Sequence, residues 1–150
     1  MDSAEKEGHH KAACPERGKG LISGNYTIAQ WLVKEKDLDR LLAIPSAKKE
    51  IIKETPYKYS IRVAYQTPVT IDYDGTVKEA IASTFEDCLV YTNYQLFKGI
   101  STDDTGSLVK RVSDEIDSAN SFEDFHKGVY EILRNGKSDQ KAEFALDLIY

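Results

Sequence analysis

The spacing of apolar residues predicts short helices in the region 26–55. Apolar side chains recur at helical intervals in two groups, Ile28-Trp31-Leu32 and Leu38-Leu41-Leu42. Pro45 suits the first turn of a helix, and the stretch SAKKEIIKET after it is predicted to remain helical until Pro56. The preceding residues 1–25 contain several glycines and no clear period, so we expect a loop-rich initial segment there.

The period then changes from helical spacing to alternation. Apolar and polar residues alternate from Tyr59 to Tyr65 and from Val69 to Tyr73, which predicts half-buried strands, and Asp74-Gly75 supplies a turn. The rest follows helical spacing over 83–98, 107–119, 122–134 and 139–149. We therefore expect one α-rich α/β domain over 1–150, with strands in 57–80, including a short strand or hairpin near 59–73, and helices in 83–150.

Composition places the chain among ordinary globular proteins. Its 150 residues can bury a core, and no apolar run approaches the roughly 20 residues that span a bilayer. The polar N-terminus lacks the apolar stretch of a signal peptide, so we expect a cytoplasmic protein with no membrane partner. Cys14 and Cys88, far apart in sequence, fit two reduced thiols better than a disulfide.

Net charge limits the classes of partner without excluding a nuclease. The formal charge is −5, which argues against this chain alone gripping a phosphate backbone, because such surfaces are usually basic. Clustered carboxylates are nevertheless what a metal-dependent nuclease site requires. His9, His10 and Cys14 could form part of a zinc site, but a fourth ligand at suitable spacing is missing.

The segment STFEDCLVYTN at 83–93 is nearly repeated as SFEDFHKGVY at 121–130. Ser83-x-x-Glu86 and Ser121-x-x-Asp124 both resemble capping boxes, in which a hydroxyl and an acidic side chain satisfy the first N–H groups of a helix. The pair Ser83 and Glu86 is the better match, because the box prefers Glu or Gln at its fourth position. Capping is therefore a sufficient interpretation of either copy.

The two copies differ further along their helices. The first helix has a predicted buried stripe with Glu86 beside it, and Asn93, seven residues on, points roughly the same way as Glu86. A carboxylate and an amide at the edge of a buried face could line a cleft, so a site and a cap both remain open for Glu86. The predicted stripe of the first helix is Phe85, Cys88, Leu89, Thr92 and Leu96. The second helix carries a plain packing stripe, Phe122, Phe125, Val129 and Leu133.

Lys141 is the second candidate for a functional residue. Helical spacing places it near the middle of the apolar face of the last helix, one turn before Phe144. A lysine there either extends its amine off the helix end into water or meets a negative charge, such as a carboxylate or a phosphate.

Several segments in order resemble one known family. These are DS near the start, ISGNYTIAQWL at 22–32, IRVAYQTP at 61–68, STFEDCLVYTN at 83–93 and KAEFALDLIY at 141–150. Together they resemble the C-terminal half of the Toprim region in the OLD family (overcoming lysogenisation defect) of ATP-dependent endonucleases. The resemblance covers nearly all of the chain and implies the C-terminal part of a Toprim-like domain.

The resemblance implies metal-dependent hydrolysis of DNA, with Mg²⁺ or Mn²⁺ as cofactor and a role in phage defence. Asp2 looks like the second Asp of the family's D-x-D pair, and Glu86 like a later metal-binding acid with Thr84 at the hydroxyl position. Lys141 looks like the late catalytic lysine, while Thr84 and Asn93 are accessory candidates. Metals activate water and stabilise the leaving oxygen, and a lysine neutralises charge that develops on the phosphorus centre.

The chain also departs from the family pattern. Ala82-Ser83 stands where the family has Gly-Arg, and the early Glu, the first Asp and the N-terminal ATPase that binds ATP are absent. We therefore expect a truncated region that is inactive alone, whose partners are DNA, the missing ATPase and, in some forms, further copies of itself. The alternative is a stand-alone helical module that binds another protein and has lost the nuclease chemistry.

Overall fold

A computed structural model describes residues 4–6, 12–30, 34–65, 67–100 and 106–147, with the side chains of 4–6, 138 and 145–147 outside the description. The chain divides into two compact units, one within 1–67 and one within 68–150. Both contain helices and antiparallel strands, so the expected mixed α/β class is confirmed. No helix among the described residues has the length and apolar character to cross a membrane.

The first unit contains a small sheet within the region expected to be loop-rich. Strands β1 (Ala4–Lys6), β2 (Ala12–Ala13) and β3 (Leu21–Ser23) form an antiparallel sheet in the order β2-β1-β3. Helices α1 (Tyr26–Gln30) and α2 (Leu38–Ala43) follow and pack against β3. Four apolar side chains of these elements are buried: Leu21, Ile28, Leu38 and Leu41.

The stretch after Pro45 is not the predicted helix. A single 3-10 helix, Ser46–Lys49, leads directly into strand β4 (Glu50–Lys53), which pairs antiparallel with β5 (Tyr59–Arg62). The helical prediction was wrong. The charged residues of this stretch are compatible with a helix, but most of the stretch does not form one. Pairing with a distant strand supplies the backbone hydrogen bonds instead, and Ile51 and Ile52 are β-branched residues that favour strands. We call residues 46–62 the cationic ribbon.

The second unit begins with a tight hairpin. Strands β6 (Val69–Tyr73) and β7 (Thr76–Ala80) pair through the predicted turn at Asp74-Gly75. Both turn residues have positive φ, +48° and +79°, as a two-residue hairpin turn requires. The Asp72 carboxylate accepts a hydrogen bond from the Gly75 N–H at 2.9 Å, which fixes the turn. The ribbon and this hairpin are thus separate pairs, rather than one hairpin near 59–73.

Five helices complete the second unit. They are α3 (Phe85–Thr92), α4 (Tyr94–Lys98), α5 (Leu108–Ser118), α6 (Phe122–Asn135) and α7 (Ser138–Asp147). The predicted helix 83–98 is therefore interrupted at Asn93. Helix α3 packs on β6 and α6, while α5 contacts α4, α6 and α7.

Aromatic rings fill the centre of the second unit. Phe125 is fully buried and meets four other rings, with centroids 5.2–5.9 Å apart: Tyr73, Tyr91, Tyr94 and Phe122. Such separations are in the range that favours tilted and edge-to-face aromatic contacts. The packing stripe predicted for α6 is confirmed, with Phe122 half-buried and the other members fully buried.

The stripe predicted for α3 and α4 was wrong. Phe85 is 68% exposed, and Thr92 and Leu96 are also exposed. The buried positions are instead Asp87, Val90, Tyr91, Tyr94 and Phe97. Cys88 and Leu89 pack at the margin of this face. Cys14 and Cys88 are not joined by a disulfide, as expected. Burying the three aromatic rings of Tyr91, Tyr94 and Phe97 gains more than burying the single ring of the predicted stripe, Phe85, which explains the displacement.

Candidate functional site

The N-terminus of α3 is capped by Thr84 and Asp87. The Thr84 hydroxyl accepts a hydrogen bond from the Asp87 N–H at 3.4 Å and donates one to Asp87 Oδ1 at 2.7 Å. Asp87 Oδ2 accepts from the N–H groups of Ser83 at 2.9 Å and Thr84 at 3.3 Å. This is a reciprocal capping box in which Asp87, rather than the predicted Glu86, is the acidic member, and Thr84 replaces Ser83.

Asp87 combines this role with deep burial. Only 1% of the residue is exposed, and burying a carboxylate is costly unless it is hydrogen-bonded. The three donors from Ser83 and Thr84 provide that compensation. The cap is thus part of the core of the second unit, and its loss affects packing as well as the helix end.

The second copy of the motif is capped by the corresponding residues. The Ser121 hydroxyl accepts from the Asp124 N–H at 3.1 Å and donates to Asp124 Oδ2 at 2.8 Å. Capping by Ser121 and Asp124 was predicted and is confirmed. Asp124 is exposed, however, whereas Asp87 is buried, so the same local motif stands in two environments.

Glu86 lies in the first turn of α3 and takes no part in the cap. Its side chain is half-buried, and no hydrogen bond or ion pair with another described residue engages its carboxylate. Acidic residues are common in the first turn of a helix, and this position does not occupy the carboxylate oxygens. Glu86 therefore remains available for a ligand.

The accessory candidates have local partners. Thr84 is engaged in the cap. The Asn93 amide donates to the Leu89 carbonyl at 2.8 Å at the end of α3, where Asn93 separates α3 from α4. These bonds account for both residues structurally and leave their accessory role a prediction.

Asn93 also lines an open groove on the second unit. The groove has a volume of about 310 Å³ and lies between β6 and the junction of α3 with α4. A hydrogen bond of 3.2 Å from the Gln95 amide to the Asp72 carbonyl bridges the two sides. The remaining lining is mixed in polarity: Thr70, Ile71, Tyr91, Thr92, Tyr94 and Leu96. Glu86 does not line this groove.

Charged and phenolic groups cluster beside the hairpin turn. Lys98 Nζ lies 2.5 Å from Asp74 Oδ1, and this hydrogen bond raises the pKa of the lysine. Burial raises the pKa of both Tyr73 and Tyr94, whose ring centroids are 5.6 Å apart. The hairpin turn is thereby tied to α4 through polar and aromatic contacts.

Lys141 lies in the second turn of α7 and is half-buried. Its backbone N–H donates to the Lys137 carbonyl at 3.0 Å, and its amine forms no ion pair with another described residue. One turn on, Phe144 is buried and stacks on Phe97, with centroids 5.8 Å apart. Helix α7 is thus fixed on its apolar side, with Lys141 at the margin of the packed face.

The metal site implied by the sequence is incomplete within the described residues. No group of three or more His, Cys, Asp or Glu side chains in the described ranges is arranged to hold a metal ion. Asp2, His9 and His10 lie outside those ranges. Of the metal ligands that the resemblance implies, Asp2 and Glu86, only Glu86 lies within the described ranges.

Comparisons with known proteins add no relative. No protein-family model matches the chain, and the searches of curated proteins and of solved structures give no match.

Proposed function

We propose that the chain is the C-terminal part of a Toprim-type nuclease region from an OLD-family, ATP-dependent DNA endonuclease. In this proposal the intact protein hydrolyses phosphodiester bonds with Mg²⁺ or Mn²⁺, and the present chain is inactive alone. The observation that carries the proposal is the division of roles at the start of α3, where Asp87 caps the helix and the Glu86 carboxylate has no partner among the described residues.

Two adjacent acidic residues at the start of a helix would be explained most simply if both capped the helix. Here one acid suffices, because Asp87 satisfies the donors of Ser83 and Thr84 by itself. The half-buried Glu86 carboxylate then has no structural partner among the described residues, although partly buried charges usually acquire one. A cation that binds there would supply the missing partner, as the resemblance implies.

Lys141 is the proposed catalytic cation. Lys141 is a half-buried residue whose amine has no carboxylate partner among the described residues, which suits a group that binds a phosphate oxygen. The burial of Phe144 fixes the helix that carries it.

The described residues do not by themselves make a metal site, because Glu86 is a lone carboxylate and a Mg²⁺ or Mn²⁺ centre uses several oxygen ligands. The resemblance implies further ligands, among them Asp2, which lies outside the described residues.

The test is nicking of supercoiled plasmid by the longest natural protein that contains this chain. We expect nicking with Mg²⁺ or Mn²⁺, none in EDTA, and a loss of at least about tenfold in Lys141→Ala, since charge stabilisation of this kind is worth more than that. Lys137→Ala, one turn earlier on the exposed surface, is the control. Metal-independent nicking, or unchanged nicking in Lys141→Ala, would contradict the assignment.

A stand-alone protein-binding module is the second candidate. It is favoured by exposed apolar side chains on the second unit, Val77, Phe85 and Leu96. This candidate predicts that Phe85→Ser and Leu96→Ser weaken association with a partner protein while nicking is absent in every assay.

A further inference from the structure

The cationic ribbon concentrates positive charge in an acidic chain. Residues 46–62 contain five basic side chains and two acidic ones, a net charge of +3, whereas the whole chain carries −5. Lys58 Nζ lies 3.8 Å from Glu54 Oε2, so the charge of this lysine is partly neutralised. The remaining basic residues, Lys48, Lys49, Lys53 and Arg62, still outnumber Glu50.

The pairing register places the basic residues on both faces of the ribbon. Because side chains alternate along a strand, Lys53 shares a face with its partner Tyr59, while Arg62 lies on the opposite face with its partner Glu50. All eight residues of the two strands are exposed within this unit. Within the strands, the uncompensated positive charge therefore lies on the Lys53 face, because Arg62 stands opposite Glu50 on the other.

Exposed apolar and aromatic side chains lie among these charges. Tyr57 is 79% exposed in the connection between the strands, and Tyr59 is 48% exposed. Ile51 and Ile61 face each other across the ladder and are exposed as well. Large apolar side chains that remain in water on a two-stranded ribbon indicate a contact surface, since such a pair has no buried side of its own.

The base of the ribbon is anchored, so its strands project from a fixed point. The Tyr65 hydroxyl donates to the Leu41 carbonyl of α2 at 2.5 Å, and Lys49 Nζ lies 4.2 Å from the Tyr65 ring centroid. The Val63 N–H continues the ladder to the Lys49 carbonyl at 2.9 Å. These contacts preorganise the ribbon.

We infer that the cationic ribbon is a contact surface for duplex DNA. A two-stranded β-ribbon fits the major groove, and the excess of basic side chains along residues 46–62 can meet the phosphate backbones that border the groove. Exposed Tyr and Ile side chains supply apolar contact to base edges. A second copy of the chain is a poorer occupant, because face-to-face ribbons would oppose two charges of +3.

This inference rests on the proposed function for its biological sense, but it concerns residues other than Glu86 and Lys141. It can therefore fail while the nuclease assignment stands, and the reverse also holds. Binding measured in EDTA separates the two, since no cleavage occurs and neither proposed site residue belongs to the ribbon.

The experiment is fluorescence anisotropy of a labelled 20-base-pair DNA duplex titrated with the full chain in EDTA at several salt concentrations. In the triple variant Lys53→Gln, Lys58→Gln, Arg62→Gln, we expect binding at least about tenfold weaker at low salt, since three phosphate contacts are lost. The slope of log Kd against log salt should fall by about 2 to 3.

The matched control removes the same charge elsewhere. Arg111→Gln, Lys127→Gln, Lys137→Gln alters three exposed residues of the second unit and should leave affinity within about twofold, because these residues lie outside the ribbon. Equal loss in both triple variants would show a general charge effect and overturn the assignment. Wild-type binding by the ribbon variant, or no duplex binding by the wild type, would also overturn it.

A competition arm distinguishes DNA from an acidic protein partner. Poly-glutamate at equal charge concentration should displace the duplex poorly, because it lacks a groove for the ribbon. Displacement as efficient as that by unlabelled duplex would reassign the ribbon to acidic polypeptides.

Discussion

The Asp87 carboxylate and the Thr84 hydroxyl form a reciprocal pair at the start of α3, with Thr84 donating to Asp87 Oδ1 at 2.7 Å. Asp87 is buried, and the neighbouring Glu86 takes no part in the pair. The structure therefore assigns the cap to one of two adjacent acidic residues, Asp87, and not to Glu86.

Replacing Asp87 should destabilise the fold more than replacing its counterpart in the repeat. Asp87→Asn replaces one of the two accepting carboxylate oxygens with an NH2 group, so the Ser83 and Thr84 donors are no longer all satisfied, which should cost about 1–3 kcal/mol. Asp124→Asn, at an exposed cap, should cost less than about 1 kcal/mol. Urea denaturation followed by circular dichroism measures both; equal losses would refute the difference in environment.

The two phenylalanines Phe85 and Phe125 should differ in their contribution to stability. Phe125→Ala removes a fully buried ring from the aromatic cluster and should cost about 3–5 kcal/mol. Phe85→Ala alters a mostly exposed ring and should change the free energy of unfolding by less than about 0.5 kcal/mol. A large loss on Phe85→Ala would instead support the stripe predicted from the sequence.

Alkaline pH should destabilise the second unit through its buried phenols. Burial raises the pKa of Tyr73 and Tyr94 above the ordinary value of 10.0. The unfolded chain then loses these protons first, so the stabilisation is complete below pH 10 and declines as the pH rises through the folded-state pKa.

The measurement is the urea midpoint at several pH values from 8 to 11. Tyr73→Phe, Tyr94→Phe should flatten the decline above pH 10, while Tyr26→Phe, at an exposed residue of the first unit, should not. A decline of the same steepness in the double variant would show that other groups cause it.

The prediction from the sequence placed the cap within one residue of its true position but assigned it to the wrong pair of residues. Ser83-x-x-Glu86 and Thr84-x-x-Asp87 both satisfy the capping pattern, and local chemistry prefers the first because it ends in Glu. The second is realised because Asp87 faces the core, where its carboxylate must be hydrogen-bonded. Burial is a tertiary property, so the local pattern could not select between the two frames.

The hairpin and the helices α5 and α6 were predicted closely, because their signals are local: a turn dipeptide, caps and a single apolar stripe. The cationic ribbon was missed for two reasons. The pairing of Ile51 with Ile61 links residues ten apart, and whole-chain charge averages the ribbon with its acidic surroundings. The net charge of short successive segments of the sequence, in place of the whole chain, would have revealed the ribbon.

A comparison of Glu86→Gln with Glu123→Gln tests most directly the central claim, that Glu86 is a metal-site residue. The two residues occupy the same position in the repeated motif, each beside a capping Asp, so they share helix-dipole and propensity effects. We predict that Glu86→Gln lowers Mg²⁺-dependent plasmid nicking by the full-length protein at least about a hundredfold, since a metal-site residue is lost. Glu123→Gln should leave nicking unchanged, and both should keep the wild-type free energy of unfolding within about 0.5 kcal/mol. Equal nicking by the two variants would contradict the account.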